Sequence, residues 1–442
     1  MAVRTLPVLI MLTMSSVLSP SAAAADLGEL AAAEARRLEE LYKHLHAHPE
    51  LSFHETATAT RIAQELRRAG YEVTTGVGGN GVVGVLRNGE GKTVLIRTDL
   101  DALPVVEETG KPYASKVRTR DDAGNDVGVM HACGHDIHMT AFVGTARLLA
   151  KTKDRWKGTV VMIAQPAEER GAGAKAMLAD GLYRRFPTPD AALALHVSAE
   201  LPAGTIGYHH GYAMAAVDSV DITVRGLGGH GAYPHKTKDP IVLSAYIITA
   251  LQTIASRETD PQDAVVVTVG SIHGGAKHNI IPPEVKLQLT VRNYSDKTRK
   301  AVLAAIRRIT TETARAFGIP EDRLPVIEMP NEYTPATYND PDLGRRLVAA
   351  WNKVLGEESV VEVPAVMASE DFSRYGRTPE KVPIYLFWLG TVERSRWEAA
   401  ERGEVRLPAL HSPLFAPEIH PTIETGVKAM AAAALAVLGG SI

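Results

Sequence analysis

The single cysteine of this 442-residue chain lies among histidines, in the segment VMHACGHDIHMT at residues 129–140. A lone cysteine cannot form an intramolecular disulfide, so Cys133 is an inert buried thiol, a nucleophile or a metal ligand. His135 follows two residues later, and the two side chains share one side only if the backbone between them is extended. The spacing therefore predicts an extended loop that can present a thiol and an imidazole to one ligand.

Further potential metal ligands occur where short apolar segments end. GTVVMIAQPAEE ends in Glu168 and Glu169, and histidines occur in DAALALHV and LHSP. The candidate donors are then Cys133, His135, one of the two glutamates, His196 and His411. This set is too large for one closed tetrahedral zinc site and indicates two divalent ions with open positions for water and substrate. Because successive residues of an extended segment point to opposite sides, one glutamate can bind metal while its neighbour acts as general base.

The elements that must position these donors are short buried strands. KTVLIRTDLDALP, GTVVMIAQPAEE and DAALALHV are apolar throughout, and helical patterns separate them. This alternation predicts an α/β catalytic domain with a mostly parallel sheet. Ligands of such sheets bind outside the carboxyl ends of the strands. The polar residues at these ends are Asp99, Asp101, Glu168, Glu169 and His196.

Other polar residues are interpreted as structural. SFHETATATRIAQELRRAG has Ser52 three residues before Glu55 and ends at Gly70, which is typical of a helix with a capping box and a glycine after its last turn. Asp101 is interpreted as a residue that orients a metal ligand. The histidines assigned to structural or surface positions are His44, His46, His48, His138, His209, His210 and His273.

A second domain is predicted within the first. From residue 216 the strand and helix patterns follow the order β-α-β-β-α, with a last strand at LPVIEMP, which is the ferredoxin-like arrangement. We therefore predict an inserted domain at residues 216–328. The catalytic domain then comprises residues 26–215 and 329–442.

The N-terminus has the pattern of a secretory signal peptide. Arg4 precedes the apolar stretch LPVLIMLTMSSVL, and SAAAAD supplies small residues for cleavage after Ala25. We predict a signal peptide at residues 1–25 and an exported mature chain, periplasmic or extracellular, without stable membrane insertion; an uncleaved anchor or a poorly ordered tail is the alternative. The net charge of -3 argues against a nucleic-acid partner.

Nine segments of the chain together resemble one enzyme family. They are HAHPELSFHE, RTDLDALPVVEETG, HACGHDIHMT, QPAEE, ALHV, RGLGGHGAYPH, NIIP, SEDF and LHSP. In this order they are similar to the di-metal amidohydrolases related to aminoacylase, hippurate hydrolase and indole-acetyl amino acid hydrolases, whose superfamily includes carboxypeptidases. The resemblance implies a catalytic α/β domain, an inserted lid domain that often dimerises, and hydrolysis of an amide next to a free carboxylate.

The resemblance also implies roles for individual residues. The positions that match metal ligands are Cys133, His135, Glu169, His196 and His411, and the two divalent ions would be zinc, manganese or cobalt. Glu168 matches the general base that takes a proton from metal-activated water. His230 matches a lid histidine that stabilises the oxyanion, often from the partner subunit of a homodimer, although Gly231 replaces the commoner alanine. Asn279 and Arg292 match lid residues that hold the substrate carboxylate.

We therefore predict an exported metal-dependent amidohydrolase that cleaves N-acyl amino acids next to a free carboxylate. A carboxypeptidase or dipeptidase acting on small peptides is the alternative within the same chemistry. Two rivals belong to other classes: a cysteine hydrolase that uses Cys133 with a histidine, and a binding protein that holds metal without catalysis. Chelation should leave the first active, and the second has no need of the spare carboxylate of Glu168.

Overall fold

The computed structural model describes residues 26–330 and 333–441, so the predicted signal peptide lies outside the described residues. The α-helices of the described chain are α1 (Leu27–Ala35), α2 (Glu39–Ala47), α3 (Thr56–Arg68), α4 (His135–Lys151), α5 (Gly173–Ala179), α6 (Leu182–Arg185), α7 (Pro240–Leu251), α8 (Asp296–Ala316), α9 (Pro341–Leu355), α10 (Arg394–Glu401) and α11 (Ile419–Leu438). Its strands are β1 (Glu72–Val77), β2 (Gly81–Asn88), β3 (Thr93–Asp99), β4 (Arg118–Arg120), β5 (Asp126–Gly128), β6 (Gly158–Gln165), β7 (Ala191–Pro202), β8 (Ile206–Tyr208), β9 (Gly211–Met214), β10 (Ala216–Arg225), β11 (Gly229–His230), β12 (Val265–His273), β13 (Ile280–Ile281), β14 (Glu284–Asn293), β15 (Val326–Glu328), β16 (Thr337–Asn339), β17 (Val360–Glu362) and β18 (Ile384–Val392).

The central sheet has the strand order β1-β2-β6-β3-β7-β18-β8-β17. The neighbours β6–β3, β3–β7, β7–β18 and β8–β17 are parallel, and the remaining neighbours are antiparallel. Alternate residues of β3 enter different apolar clusters, because Val94 and Ile96 belong to one and Leu95 to the other. Both faces of the sheet are therefore covered, which explains the continuous apolar segments. The predicted α/β fold with a mostly parallel sheet is confirmed.

A separate antiparallel sheet has the order β12-β14-β10-β15. With α7 and α8 between its strands in the chain, this is the ferredoxin-like β-α-β-β-α-β topology that was predicted. The two helices pack on one face and enclose an apolar cluster of their own, which includes Val220, Leu243, Leu287 and Ile306. The four strands span Ala216 to Glu328. We refer to this unit as the lid; the domain boundaries themselves stay a prediction.

The predicted capping box at Ser52 and Glu55 is wrong. Helix α3 begins at Thr56 with Glu55 before it, and neither side chain caps the helix. Instead, Ser52 Oγ donates to Oδ2 of Asp101 at 2.6 Å, and Glu55 Oε1 accepts from the backbone N–H of Ala167 at 2.8 Å. Both side chains thus bind loops that carry polar strand-end residues. They bond to Asp101 and Ala167 instead of to the N-terminus of α3.

Helix α11 is long and apolar enough to cross a membrane by length and composition alone. In the described fold 78% of its apolar window is buried, and it packs against α1, α4 and α9. Its hydrophobicity is that of a helix enclosed in a protein core.

Candidate metal centre

The side chains of the five predicted ligands meet near the carboxyl ends of β3 and β6. Sγ of Cys133 lies 3.5 Å from Nε2 of His196 and 3.3 Å from Nε2 of His411. Oε1 of Glu169 lies 3.8 Å from Nε2 of His135 and 3.7 Å from Nε2 of His411. The five predicted ligands form two groups whose ligand atoms lie within 4.8 Å of one another: Cys133, His135 and His196, and Cys133, Glu169 and His411. The thiol is common to both.

A tight turn brings Cys133 and His135 together, so the predicted extended loop is wrong. Gly134 has a φ of +74°, and His135 is already the first residue of α4. A Cβ at Gly134 would lie 2.6 Å from Cγ2 of Val197, which makes the position doubly suited to glycine. The left-handed residue reverses the chain immediately before the helix, and this reversal makes the two donors converge.

The two glutamates also lie on a turn rather than on an extended segment. Ala167 has a φ of +49°, and Glu168 to Arg170 form a short 3-10 helix after β6. Oε2 of Glu168 lies 4.0 Å from Nε2 of His135, close to the corresponding distance for Glu169. The side chains therefore approach the same histidine, and the expectation that they point to opposite sides is wrong.

Asp101 joins the loops that carry the donors. Its carboxylate accepts from the backbone N–H groups of Glu168 and Glu169 at 3.1 and 3.0 Å. Its backbone carbonyl accepts from Nδ1 of His135 at 2.8 Å. Burial opposes its charge, but hydrogen bonds from His135 and Ser52 hold the pKa of Asp101 below its ordinary value. Its geometry is that of a residue which orients metal ligands, the interpretation given to it from the sequence.

We expect Asp101→Asn to lower metal affinity roughly 10- to 100-fold, which is the usual cost of losing a group that orients ligands. An amide has one acceptor oxygen, so its NH₂ would face one of the two backbone N–H groups that Asp101 now accepts. Titration of metal-stripped protein with zinc measures the change. Asp342→Asn, which alters an exposed carboxylate, is the control. Unchanged zinc affinity in Asp101→Asn would contradict this role.

The hydrogen bonds made by Nδ1 of His135 and of His196 leave each Nε2 with a lone pair that can bind a metal. Because a carbonyl oxygen only accepts, Nδ1 of His135 and of His196 must carry the proton, donated to Asp101 and to Val197 respectively, each at 2.8 Å. Nε2 of His135 and Oε1 of Glu169 are buried and have no hydrogen-bond partner among the described residues. Such unpaired buried atoms are costly unless a cation occupies the space between them. The donor set therefore fits divalent ions.

The pKa shifts of the donors also favour metal binding. Burial raises the pKa of the Cys133 thiol well above its ordinary value, and the nearby carboxylates of Glu169 and Glu168 raise it further. Burial likewise raises the pKa of Glu169, to about 7. A thiol with a raised pKa is a poor nucleophile, whereas a bound cation reverses the effect and stabilises the thiolate. This contrast favours a metal ligand over a catalytic cysteine.

A cavity of about 920 Å³ opens over the centre. Its lining includes Cys133, Glu168, Glu169, His196 and His411, and the lid contributes Val217, Ser219 and Arg292 to its wall. Nη1 of Arg292 donates to the backbone oxygen of Met367 at 2.7 Å, which fixes the guanidinium at this wall. Metal donors, a spare carboxylate and a cationic group thus share one space of the size that small-molecule sites have.

The sequence pattern of peptidase family M20/M25/M40 matches residues 95–406, which include every donor except His411. The chain belongs to this family. Its predicted class, a metal-dependent hydrolase, is confirmed by that membership. The resemblance to the aminoacylases, amidohydrolases and carboxypeptidases is confirmed as well.

Relatives of this M20/M25/M40 chain cover most of its length. It is 37% identical to thermostable carboxypeptidase 2 of Saccharolobus solfataricus over 80% of this chain and 85% of that protein. It is 35% identical to the N-acetyl-L-cysteine deacetylase of Bacillus subtilis over 80% of each. The solved structure of the YXEP protein of Bacillus subtilis, a dinuclear metal-binding peptidase of family M20, superimposes with a TM-score of 0.73 at 30% identity, covering 92% of this chain and 99% of that one.

The M20/M25/M40 chain surrounds its donors with a buried ionic layer that the sequence interpretation missed. Arg97 donates to Asp99 at 2.7 Å and to Glu370 at 2.8 Å. His138 donates from Nδ1 to Asp99 at 2.7 Å and accepts at Nε2 from the backbone of Val197 at 2.9 Å, so neither nitrogen is free. A charged residue at the buried centre of an apolar strand was the available signal for Arg97, and the segment SEDF was the signal for Glu370.

His230 and Asn279 lie together on the lid but away from the cavity of their own chain. Both are exposed, and neither is among the described residues that line the cavity. The backbone N–H of Gly231 donates to the carbonyl of Asn279 at 2.9 Å, and a Cβ at Gly231 would lie 3.1 Å from that oxygen. Glycine at this position therefore permits the close approach of the two loops. Of the three predicted lid residues, the structure brings only Arg292 to the centre.

Proposed function

We propose that this chain hydrolyses the amide bond of N-acyl amino acids next to a free carboxylate, with two divalent ions held by its five donors. The observation that supports this most directly is one cavity lined by four of the donors, by Glu168 and by Arg292 of the lid. The dinuclear relative and the N-acetyl-L-cysteine deacetylase support the ion count and the substrate class. Cys133 belongs to both donor groups, so it would help to hold the ions.

When bound, the two ions would polarise the amide carbonyl and acidify a water molecule. Glu168 acts as the general base: it takes the proton of the attacking water and returns it to the leaving amine. Burial and the neighbouring carboxylates of Glu370 and Glu169 raise the pKa of Glu168, which suits a group that must hold a proton between the two steps. Arg292 binds the substrate carboxylate through its forked donors and aligns the amide with the base.

A carboxypeptidase or dipeptidase is the second candidate, favoured by the 37% identity to thermostable carboxypeptidase 2. Both activities need a free carboxylate beside the scissile amide, so the same residues would carry them. A panel of N-acyl amino acids and dipeptides, assayed with zinc, manganese and cobalt, separates the two. Faster turnover of N-acyl amino acids supports the first proposal, faster turnover of dipeptides the second, and no turnover of either contradicts both.

We infer further that the chain forms a homodimer through the lid. Strand β12 is an edge strand with an exposed Ile272, and α7 exposes Ile241, Val242 and Tyr246, the last at 60%. An open edge beside an apolar helix face is suited to pairing with a second copy. In such a dimer His230 would act at the partner's centre, which is consistent with its position away from the cavity of its own chain.

The dimer gives a specific expectation for mixed variants. We expect His230→Ala and Glu168→Gln to be inactive alone, and their co-expression to restore activity, because the His230→Ala chain keeps its base and receives His230 from its partner. Affinity tags on both variants allow the mixed dimer to be isolated, and its turnover is then measured. Two co-expressed wild-type chains, isolated in the same way, give the reference. A mixed dimer as inactive as its parents would show that His230 does not act across the interface.

We also propose that the mature chain is exported and begins at Asp26, on the strength of the signal pattern. N-terminal sequencing of the protein from the exported fraction of a bacterial host checks this. We expect Asp26 as the first residue, and an intact Met1 chain confined to the cytoplasm would contradict export. A substitution of Ala25 by a bulky residue should block the cleavage, whereas a change at Ala35 in α1 should not.

A further inference from the structure

Arg170 lines the cavity of the metal centre and follows the donor Glu169 in the chain. It lies in the same 3-10 turn as Glu169 and shares the cavity with Arg292. Its Nη2 lies 2.6 Å from Oδ2 of Asp122, while a guanidinium has five N–H donors in all. The side chain of Arg170 is 43% exposed, so it borders the entrance rather than the interior. None of the proposed steps uses this residue.

The partner of Arg170, Asp122, comes from the hairpin formed by β4 and β5. Strands β4 and β5 pair from Arg118 to Gly128, and Asp121 fixes the turn by accepting from the backbone N–H of Asn125 at 2.8 Å. Asp122 is thereby left to face outward, where it contacts Arg170 and, at 3.4 Å, Nε2 of His54. The hairpin thus holds the Arg170 guanidinium through Asp122.

Arg170 and Arg292 both line the cavity, and the segments that carry them are linked by contacts. Gly171 contacts Thr334 so closely that a Cβ there would collide with Oγ1 of Thr334. Thr334 exchanges backbone hydrogen bonds of 2.9 and 3.0 Å with Val217. Val217 pairs directly with Arg292 across β10 and β14, which places both side chains on one face of the lid sheet. A continuous chain of contacts therefore joins the two arginines.

We propose that Arg170 binds a second carboxylate of the substrate, so that the preferred leaving amino acid is acidic, as in N-acyl glutamate or N-acyl aspartate. This inference rests on the proposed function, in which Arg292 holds the α-carboxylate. Two cationic groups that line one cavity match two carboxylates on one amino acid, and arginine forms strong charge-assisted bonds with carboxylates. Asp122 holds the guanidinium of Arg170. Because this ion pair is solvent-exposed, it is weak, and the guanidinium can adjust its position to bind an anion.

The test compares substrates that differ only in charge. We expect the zinc-loaded full chain to hydrolyse N-acetyl-L-glutamate with a kcat/KM roughly 10-fold or more above that of N-acetyl-L-glutamine. In Arg170→Gln this preference should disappear, mainly through KM, and Arg170→Lys should restore part of it. Arg118→Gln, which removes an exposed hairpin arginine paired with Asp126, is the matched control and should keep the preference. Metal content is measured for every variant.

Equal kcat/KM for the two substrates in the wild type would overturn the inference, and hydrolysis of both would leave the proposed function standing. A preference that appears instead for N-succinyl-L-leucine over N-acetyl-L-leucine would place the second carboxylate on the acyl side and overturn it too. Calorimetric binding of L-glutamate and L-glutamine separates the two proposals. Tighter binding of glutamate that Arg170→Gln abolishes supports the role of Arg170. If the same protein hydrolyses no N-acyl amino acid, the proposed function is refuted while the role of Arg170 stands.

Discussion

Replacing Glu168 by glutamine is expected to lower turnover roughly 100-fold or more while the metal content stays unchanged. Glutamine keeps the size and hydrogen bonding of the side chain but cannot accept a proton. The bonds that hold this turn in place come from backbone N–H groups to Asp101, so the substitution leaves them intact. Steady-state kinetics on the best N-acyl amino acid, together with metal analysis of the same sample, measures both quantities.

The neighbouring Glu169→Gln variant distinguishes a ligand from a base. We expect it to lose metal together with activity, because Oε1 of Glu169 faces both His135 and His411. Glu72→Gln, a change at an exposed carboxylate on β1, serves as the surface control. Metal loss in Glu168→Gln with retention in Glu169→Gln would mean that the two roles are reversed, since the two carboxylates lie at similar distances from His135.

Removal of the metal is expected to abolish activity, with a fall on the order of 1,000-fold, because the ions supply several kcal/mol of transition-state stabilisation. The purified chain should contain close to two divalent ions, lose them on dialysis against a chelator, and recover activity on re-addition of zinc, manganese or cobalt. Atomic emission of the dialysed and restored samples gives the stoichiometry.

The same experiment tests the cysteine-hydrolase alternative. Such an enzyme would keep its activity in metal-free protein and lose it on alkylation of Cys133. In the two-ion enzyme, bound metal should instead protect the thiol from alkylation, and the chelated protein should react faster. Full activity without metal would contradict the proposed function.

The sequence predicted the placement of the donors better than the local backbone that carries them. Apolar segments with polar ends located β3, β6 and β7, and the edge at which Glu169 and His196 meet, because burial on both faces of a parallel sheet leaves a strong pattern. The turns at Gly134 and Ala167 were predicted as extended chain. A single left-handed residue leaves no periodicity, and for Ala167 the residue type itself argues against positive φ.

Contacts between distant segments were the other feature that could not be predicted from the sequence. Ser52 and Glu55 had the spacing of a capping box, but their partners, Asp101 and Ala167, lie in other loops. Local spacing cannot reveal a competing partner of that kind. Arg97 was missed because an arginine within an apolar strand was counted as part of the strand. The roles of the lid residues stay predictions.

The donors extend along the chain from Cys133 to His411. The metal centre can therefore form only after these distant segments have come together during folding. Asp101 and Ser52 add partners from still earlier residues, so the site is a product of high contact order and requires nearly complete folding. An unfolded chain has no comparable site, and ions that bind only the folded state stabilise it by mass action. We therefore expect metal capture to be a late event in folding, and the unfolding temperature of the enzyme should rise with metal concentration even in variants that cannot turn over substrate.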